Sequence, residues 1–141
     1  MSAACLTATR AGYDRAMFVG YDHVQICCPV GGEDSAKAFY GDVLGLDEVE
    51  KPLELAARGG CWFRVGNGQG LHVGVLDPFV PATKAHPALR VTDTDTLERI
   101  VARIADAGFD VEWADIPIAE ARCKVRDPFG NLLELLVGTT G

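Results

Sequence analysis

Three histidines and one glutamate carry most of the chemistry this sequence offers, and their spacing pairs them. His23 and His86 are separated by 63 residues, and His72 and Glu134 by 62. His23 and His86 each stand near the start of an apolar alternating run, "DHVQICC" and "AHPALRV", whereas His72 and Glu134 lie inside "GLHVGVL" and "LLELLV". Three imidazoles and a carboxylate suit a borderline divalent ion, Zn, Ni, Fe, Co or Mn. No Ser-His-Asp grouping and no phosphate-binding loop competes with a metal site.

The elements that would position these groups repeat as well. Alternating apolar residues over 17–28, stopping at Pro29 and Gly31-Gly32, predict a strand bearing His23. Ala36, Phe39, Tyr40, Val43 and Leu44 recur at helical spacing and predict a helix over 33–44, ended by Gly45. Short strands follow at 46–50, 61–65 and 71–76, the last two joined by the turn-prone "GNGQG". After the "DPFVP" linker the order returns: a strand at 86–91, a helix over 95–107 with Thr94 or Asp95 as its cap, then strands at 111–113, 122–125 and 132–137. Cys61 and Cys123, and Gly68 and Gly130, keep the same spacing of 62, which points to a duplicated module. Residues 17–79 form the first module and 80–137 the second, within a single domain, and residues 1–16 read as a flexible N-terminal extension.

Alternation places Gln25 on the face of His23, Arg90 on the face of His86, and Trp62 with Arg64 on one face of their strand; these four are the candidate substrate contacts. An ionised Glu134 between Leu133 and Leu135 would be costly without a partner, and a metal would supply one. His72, with Gly70 and Gly74 flanking it on its face, reads either as a ligand or as an exposed strand residue.

Composition narrows the function classes. A chain of 141 residues with 48% hydrophobic residues can bury one substantial core, and no segment has the length of apolar sequence that a membrane span needs. The net charge of -7 argues against nucleic acid as a partner. Five cysteines, odd in number and without a CxxC pair, indicate reduced thiols and a cytoplasmic protein, and the opening residues offer no export signal.

Two stretches, "DHVQICCPVGGEDSAKAFYGDVLGL" and "VRDPFGNLLELL", resemble the vicinal oxygen chelate superfamily, which includes glyoxalase I, bleomycin- and fosfomycin-resistance proteins and extradiol dioxygenases. The resemblance spans about residues 18–137. It implies an α+β fold of two βαβββ modules whose eight strands form an incompletely closed, barrel-like cleft. It further implies metal ligation at His23, His72, His86 and Glu134, with Glu134 also exchanging protons as the catalytic group. Glyoxalases often carry glutamate at the position of His72, and dioxygenases use three ligands and leave that position out. The expected activity is that of a glyoxalase-like lyase, isomerase or dioxygenase acting on a small oxygenated or electrophilic metabolite, in a homodimer. The alternative is a metal-free binding protein of the bleomycin-resistance type.

Overall fold

A computed structural model describes residues 17–141; the extension expected at 1–16 lies outside the described residues. The chain folds as two four-stranded sheets of identical plan. Strands β1 (His23–Cys28), β2 (Asp47–Val49), β3 (Cys61–Arg64) and β4 (Gly70–Val75) form the first, in the order β1-β4-β3-β2. Strands β5 (Ala88–Arg90), β6 (Val111–Trp113), β7 (Ala121–Arg126) and β8 (Leu132–Val137) form the second, in the order β5-β8-β7-β6. The first and last strands of each module pair in parallel and the other pairs are antiparallel.

The register reproduces the repeat residue by residue. Cys61, Trp62 and Phe63 of β3 oppose Val73, His72 and Leu71 of β4, while Cys123, Lys124 and Val125 of β7 oppose Leu135, Glu134 and Leu133 of β8. Each member of the second set lies 62 residues beyond its counterpart. Because a slip of one residue would turn every side chain to the other face, this match fixes His72 and Glu134 at equivalent positions. The sheets do not close on one another into a barrel.

One face of each sheet carries the core. Cys61, Phe63, Leu71 and Val73 from the first module join Cys123, Val125, Leu133 and Leu135 from the second in a single cluster with Phe39, Tyr40, Leu97 and Ile104 from the helices. Helix α1 (Glu33–Ala36) continues as a π-helical stretch, Lys37–Val43, with Leu44 N–H donating to the Phe39 carbonyl. Wider winding reduces the angle between successive residues, so the neighbours Phe39 and Tyr40 both reach the interior. A short helix α2 (Leu53–Ala56), absent from the sequence reading, precedes β3.

Other expectations need correction at their edges. The first strand begins at His23, not Met17, and residues 17–22 lie outside any strand. His86 precedes β5 instead of lying within it. Helix α3 (Thr94–Asp106) is capped by Asp93, whose carboxylate accepts from the Thr96 N–H at 2.7 Å, not by Thr94 or Asp95. No helix of the described residues is long and apolar enough to cross a membrane.

The "DPFGN" hairpin also pins the modules together. Asp127 is buried and accepts from the Tyr40 hydroxyl at 2.7 Å, from the backbone N–H groups of Phe129 and Asn131, and from the Asn131 amide. Asn131 in turn donates to the Cys27 carbonyl at 2.7 Å. Four donors around one carboxylate satisfy its lone pairs, so the charge is tolerated in the core.

Candidate metal centre: two half-sites on the open sheet faces

Opposite the helices, each sheet presents a second face, and the repeat-related residues lie there. On the first sheet Trp62, His72 and Gln25 are successive partners across β3, β4 and β1. The His72 ring stacks on Trp62 with centroids 4.0 Å apart and on His23 at 4.1 Å, the planes tilted by 4° and 13°. Glycines make this possible. A Cβ at Gly70 would stand 3.1 Å from His72 Nε2 and 3.3 Å from His23 Cβ, and one at Gly74 would stand 2.7 Å from the Gln25 amide nitrogen. The flanking glycines of the sequence thus let the two longer side chains lie along the sheet.

His23 Nδ1 is 2.7 Å from the Asp22 carboxylate, which only accepts, so this nitrogen carries a proton. Burial lowers the pKa of His72, and the neighbouring His23 lowers it further, so its imidazole is held neutral. A neutral imidazole is the metal-binding form.

The second sheet holds the equivalent pair. Glu134, 7% exposed, receives Arg122 Nη1 on Oε1 at 2.5 Å and lies with Oε2 3.2 Å from His86 Nε2. Burial alone would push its pKa up, but the hydrogen bonds of His86 and Arg122 outweigh it and hold the carboxyl below its usual range. His86 Nδ1 lies 2.7 Å from the Lys84 carbonyl, again a pure acceptor. His86 is therefore oriented as its repeat partner His23 is, through Nδ1, with Nε2 presented to the site. Nε2 meets Oε2 either by carrying a proton of its own or with both atoms offering lone pairs to a shared cation.

The His86–Glu134 pair fits a divalent ion, whereas the stacked His23 and His72 rings have in-plane lone pairs that run side by side and would have to turn to share one. Two ligand atoms about 2.1 Å from one ion at a right angle stand about 3 Å apart, close to the His86–Glu134 separation. Within one chain the pairs stay apart: among the described residues no group of three or more His, Cys, Asp or Glu side chains converges as a metal cluster.

The substrate-contact candidates divide likewise. Trp62 is part of the ring stack, Gln25 lies over Gly74, and Arg64 is exposed on the same face of β3. Arg90 is exposed on β5, where its Nε donates to the Gly138 carbonyl at 2.8 Å. Sequence reading missed Arg122, the direct partner of Glu134, although Arg122, Lys124 and Arg126 alternate along β7 in "ARCKVR" and so share its face.

The model of the Glyoxalase/Bleomycin resistance protein/Dioxygenase superfamily matches residues 20–135. Among solved structures, a putative glyoxalase family protein from Bacillus anthracis is 40% identical with a TM-score of 0.80, covering 89% of this chain and 99% of that one. A lactoylglutathione lyase from Agrobacterium tumefaciens (23% identity, TM-score 0.60, 82% and 92% covered) shares the fold. An antibiotic-binding protein, TnmS3, from Streptomyces sp. CB03234 (21%, 0.66, 89% and 100%) shares it too. No curated protein matches the chain.

Proposed function

The chain belongs to the Glyoxalase/Bleomycin resistance protein/Dioxygenase superfamily, and on that premise we propose that it is a glyoxalase-like, divalent-metal-dependent enzyme acting on a small oxygenated or electrophilic metabolite. The observation that supports this reading is the matched register of His72 and Glu134, with His23 stacked beside the first and His86 at hydrogen-bond distance from the second. Because the pairs do not converge within one chain, the site is assembled in a homodimer. His23 and His72 of one subunit then face His86 and Glu134 of the other. A twofold dimer makes two such sites, each half built by either copy.

When bound, the ion supplies Lewis acidity toward two neighbouring substrate oxygens. The protein's own groups do the rest. Asp22 and the Lys84 carbonyl hold the two repeat-related imidazoles through Nδ1, and Arg122 fixes Glu134 Oε1 so that Oε2 is the atom presented inward. With its carboxyl kept ionised, Glu134 accepts a proton at Oε2 from a substrate carbon or hydroxyl and returns it. That role favours proton-moving lyase or isomerase chemistry over oxygen insertion. Trp62, Gln25, Arg64 and Arg90 supply contacts for substrate.

Elemental analysis of untagged, metal-replete protein tests the proposal. Near-stoichiometric Zn, Ni, Fe, Co or Mn is expected, with loss on combining His23→Ala and His86→Ala; substoichiometric metal in the unmutated protein would sink it. A second reading, metal-free sequestration of a small molecule, has one observation in its favour: Arg122 already neutralises Glu134. It predicts ligand binding that both histidine substitutions leave intact.

A further inference from the structure

Resting on the reading of His86 and Glu134 as half of the reaction site, we propose that the cavity beside them is a subsite for an anionic group of the substrate, a carboxylate or a phosphate, recognised by Lys84, Lys124 and Arg126. The cavity has a volume of about 690 Å³, and these three cations line it together with His86, Glu112 and Leu132. Its floor follows from the register. Lys124 is the direct cross-strand partner of Glu134, and Arg126 is the partner of Leu132 one row further along the same face.

The cations are uncommitted. Among the described residues Lys84, Lys124 and Arg126 form no ion pair, in a chain whose net charge is -7. Arg126 spends one N–H on the Gly130 carbonyl at 3.0 Å. Glu112 is the backbone partner of Lys124 across β6 and β7, yet their side chains make no salt bridge. Asp110 stands at the rim, while Asp127 is turned to the core and satisfied by four donors. The charge of Glu134 is met by Arg122. Three cations face the open volume against Asp110 and Glu112, so an entering anion finds donors that no protein carboxylate holds.

Spacing narrows the ligand further. Arg126 stands two residues along the strand from the row of Lys124 and Glu134, a distance of roughly 7 Å. A short acid of about four carbons spans that length, with one end at Glu134 and His86 and its anionic end at Arg126.

Calorimetric titration of the metal-free protein at low ionic strength, with inorganic phosphate and with succinate as separate probes, tests the subsite without reference to metal or turnover. At least one probe binds the unmutated protein, and the tighter of the two identifies the anion. Lys124→Ala and Arg126→Ala each weaken it about tenfold or more, Lys124→Arg retains most of the affinity, and Arg99→Ala on the outer surface of α3 leaves it unchanged. Binding of neither probe, or equal affinity in Lys124→Ala, Arg126→Ala and the unmutated protein, would overturn the proposal. His72→Ala separates the two readings, because it removes metal binding but leaves the phosphate or succinate affinity intact. Protein that binds the anion but no metal contradicts only the metal reading; metal without anion contradicts only the subsite.

Discussion

At the scale of single residues, the two proposed half-sites hold His72 and Glu134 by different means. His72 is kept neutral chiefly by burial between Trp62 and His23. Its titration, followed by NMR of the ring, should fall below the ordinary histidine value of about 6.5, and Trp62→Ala should move it back up by uncovering the ring. A value at or above the ordinary one would contradict the stacked, desolvated ring. The depressed pKa also has a sign for stability: the contribution is complete above the unfolded-state pKa and is lost as pH falls through the folded one. Glu134 is prepared by Arg122 instead. Replacing Arg122 with Met leaves a largely buried carboxylate with a single partner, and urea denaturation should show a loss of about 3 kcal/mol. A loss within about 0.5 kcal/mol would mean that the ion pair is solvated and does not set the carboxylate.

At the scale of elements, the sheet faces decide which side chains meet. Gly70→Ala leaves the backbone of β4 unstrained but puts a methyl 3.1 Å from His72 Nε2 and 3.3 Å from His23 Cβ, so the stacked rings must shift by a few tenths of an ångström. Metal affinity should fall while the unfolding midpoint shifts by only about 0.5 to 1 kcal/mol; unchanged metal affinity would show that the stack has no part in ligation. Tyr40→Phe removes one donor from the buried Asp127 and should cost about 1–3 kcal/mol in equilibrium unfolding, because the hairpin loses its tie to the π-helical stretch after α1. Much of this level was legible in the sequence. The spacing of 62 between Cys61 and Cys123 and between His72 and Glu134 is the register itself, since paired strands of a duplicated module keep their offset. What stayed hidden depends on contacts distant in the chain. "DPFGN" reads locally as a turn, but its Asp127 meets Tyr40 across 87 residues. Met17–Asp22 continues the apolar pattern of β1 without a strand partner, and a pattern alone does not reveal where pairing stops.

At the scale of the molecule, the single shared core places both helix-bearing faces inward and leaves the faces that carry the proposed ligands open. The sequence grid singled out four candidate donors and the repeat equivalence of His72 with Glu134. It did not reveal that one chain keeps the pairs apart, because spacing along a duplicated sequence says which positions are equivalent but not which are neighbours in space. In the proposed homodimer the open faces would meet, and Met17, Phe18, Val19 and Tyr21, all strongly exposed beside β1, add apolar surface that a second copy would cover. The most direct test of the shared site is subunit mixing. His72→Ala and Glu134→Gln proteins each lack a ligand at every site, yet a heterodimer of the two combines the intact first module of one chain with the intact second module of the other. Dissociating and reassociating the two inactive variants together should restore metal binding and activity at one site per heterodimer. If the mixture stays as metal-poor as its components while heterodimers form, the ligands do not come from two subunits and the account fails.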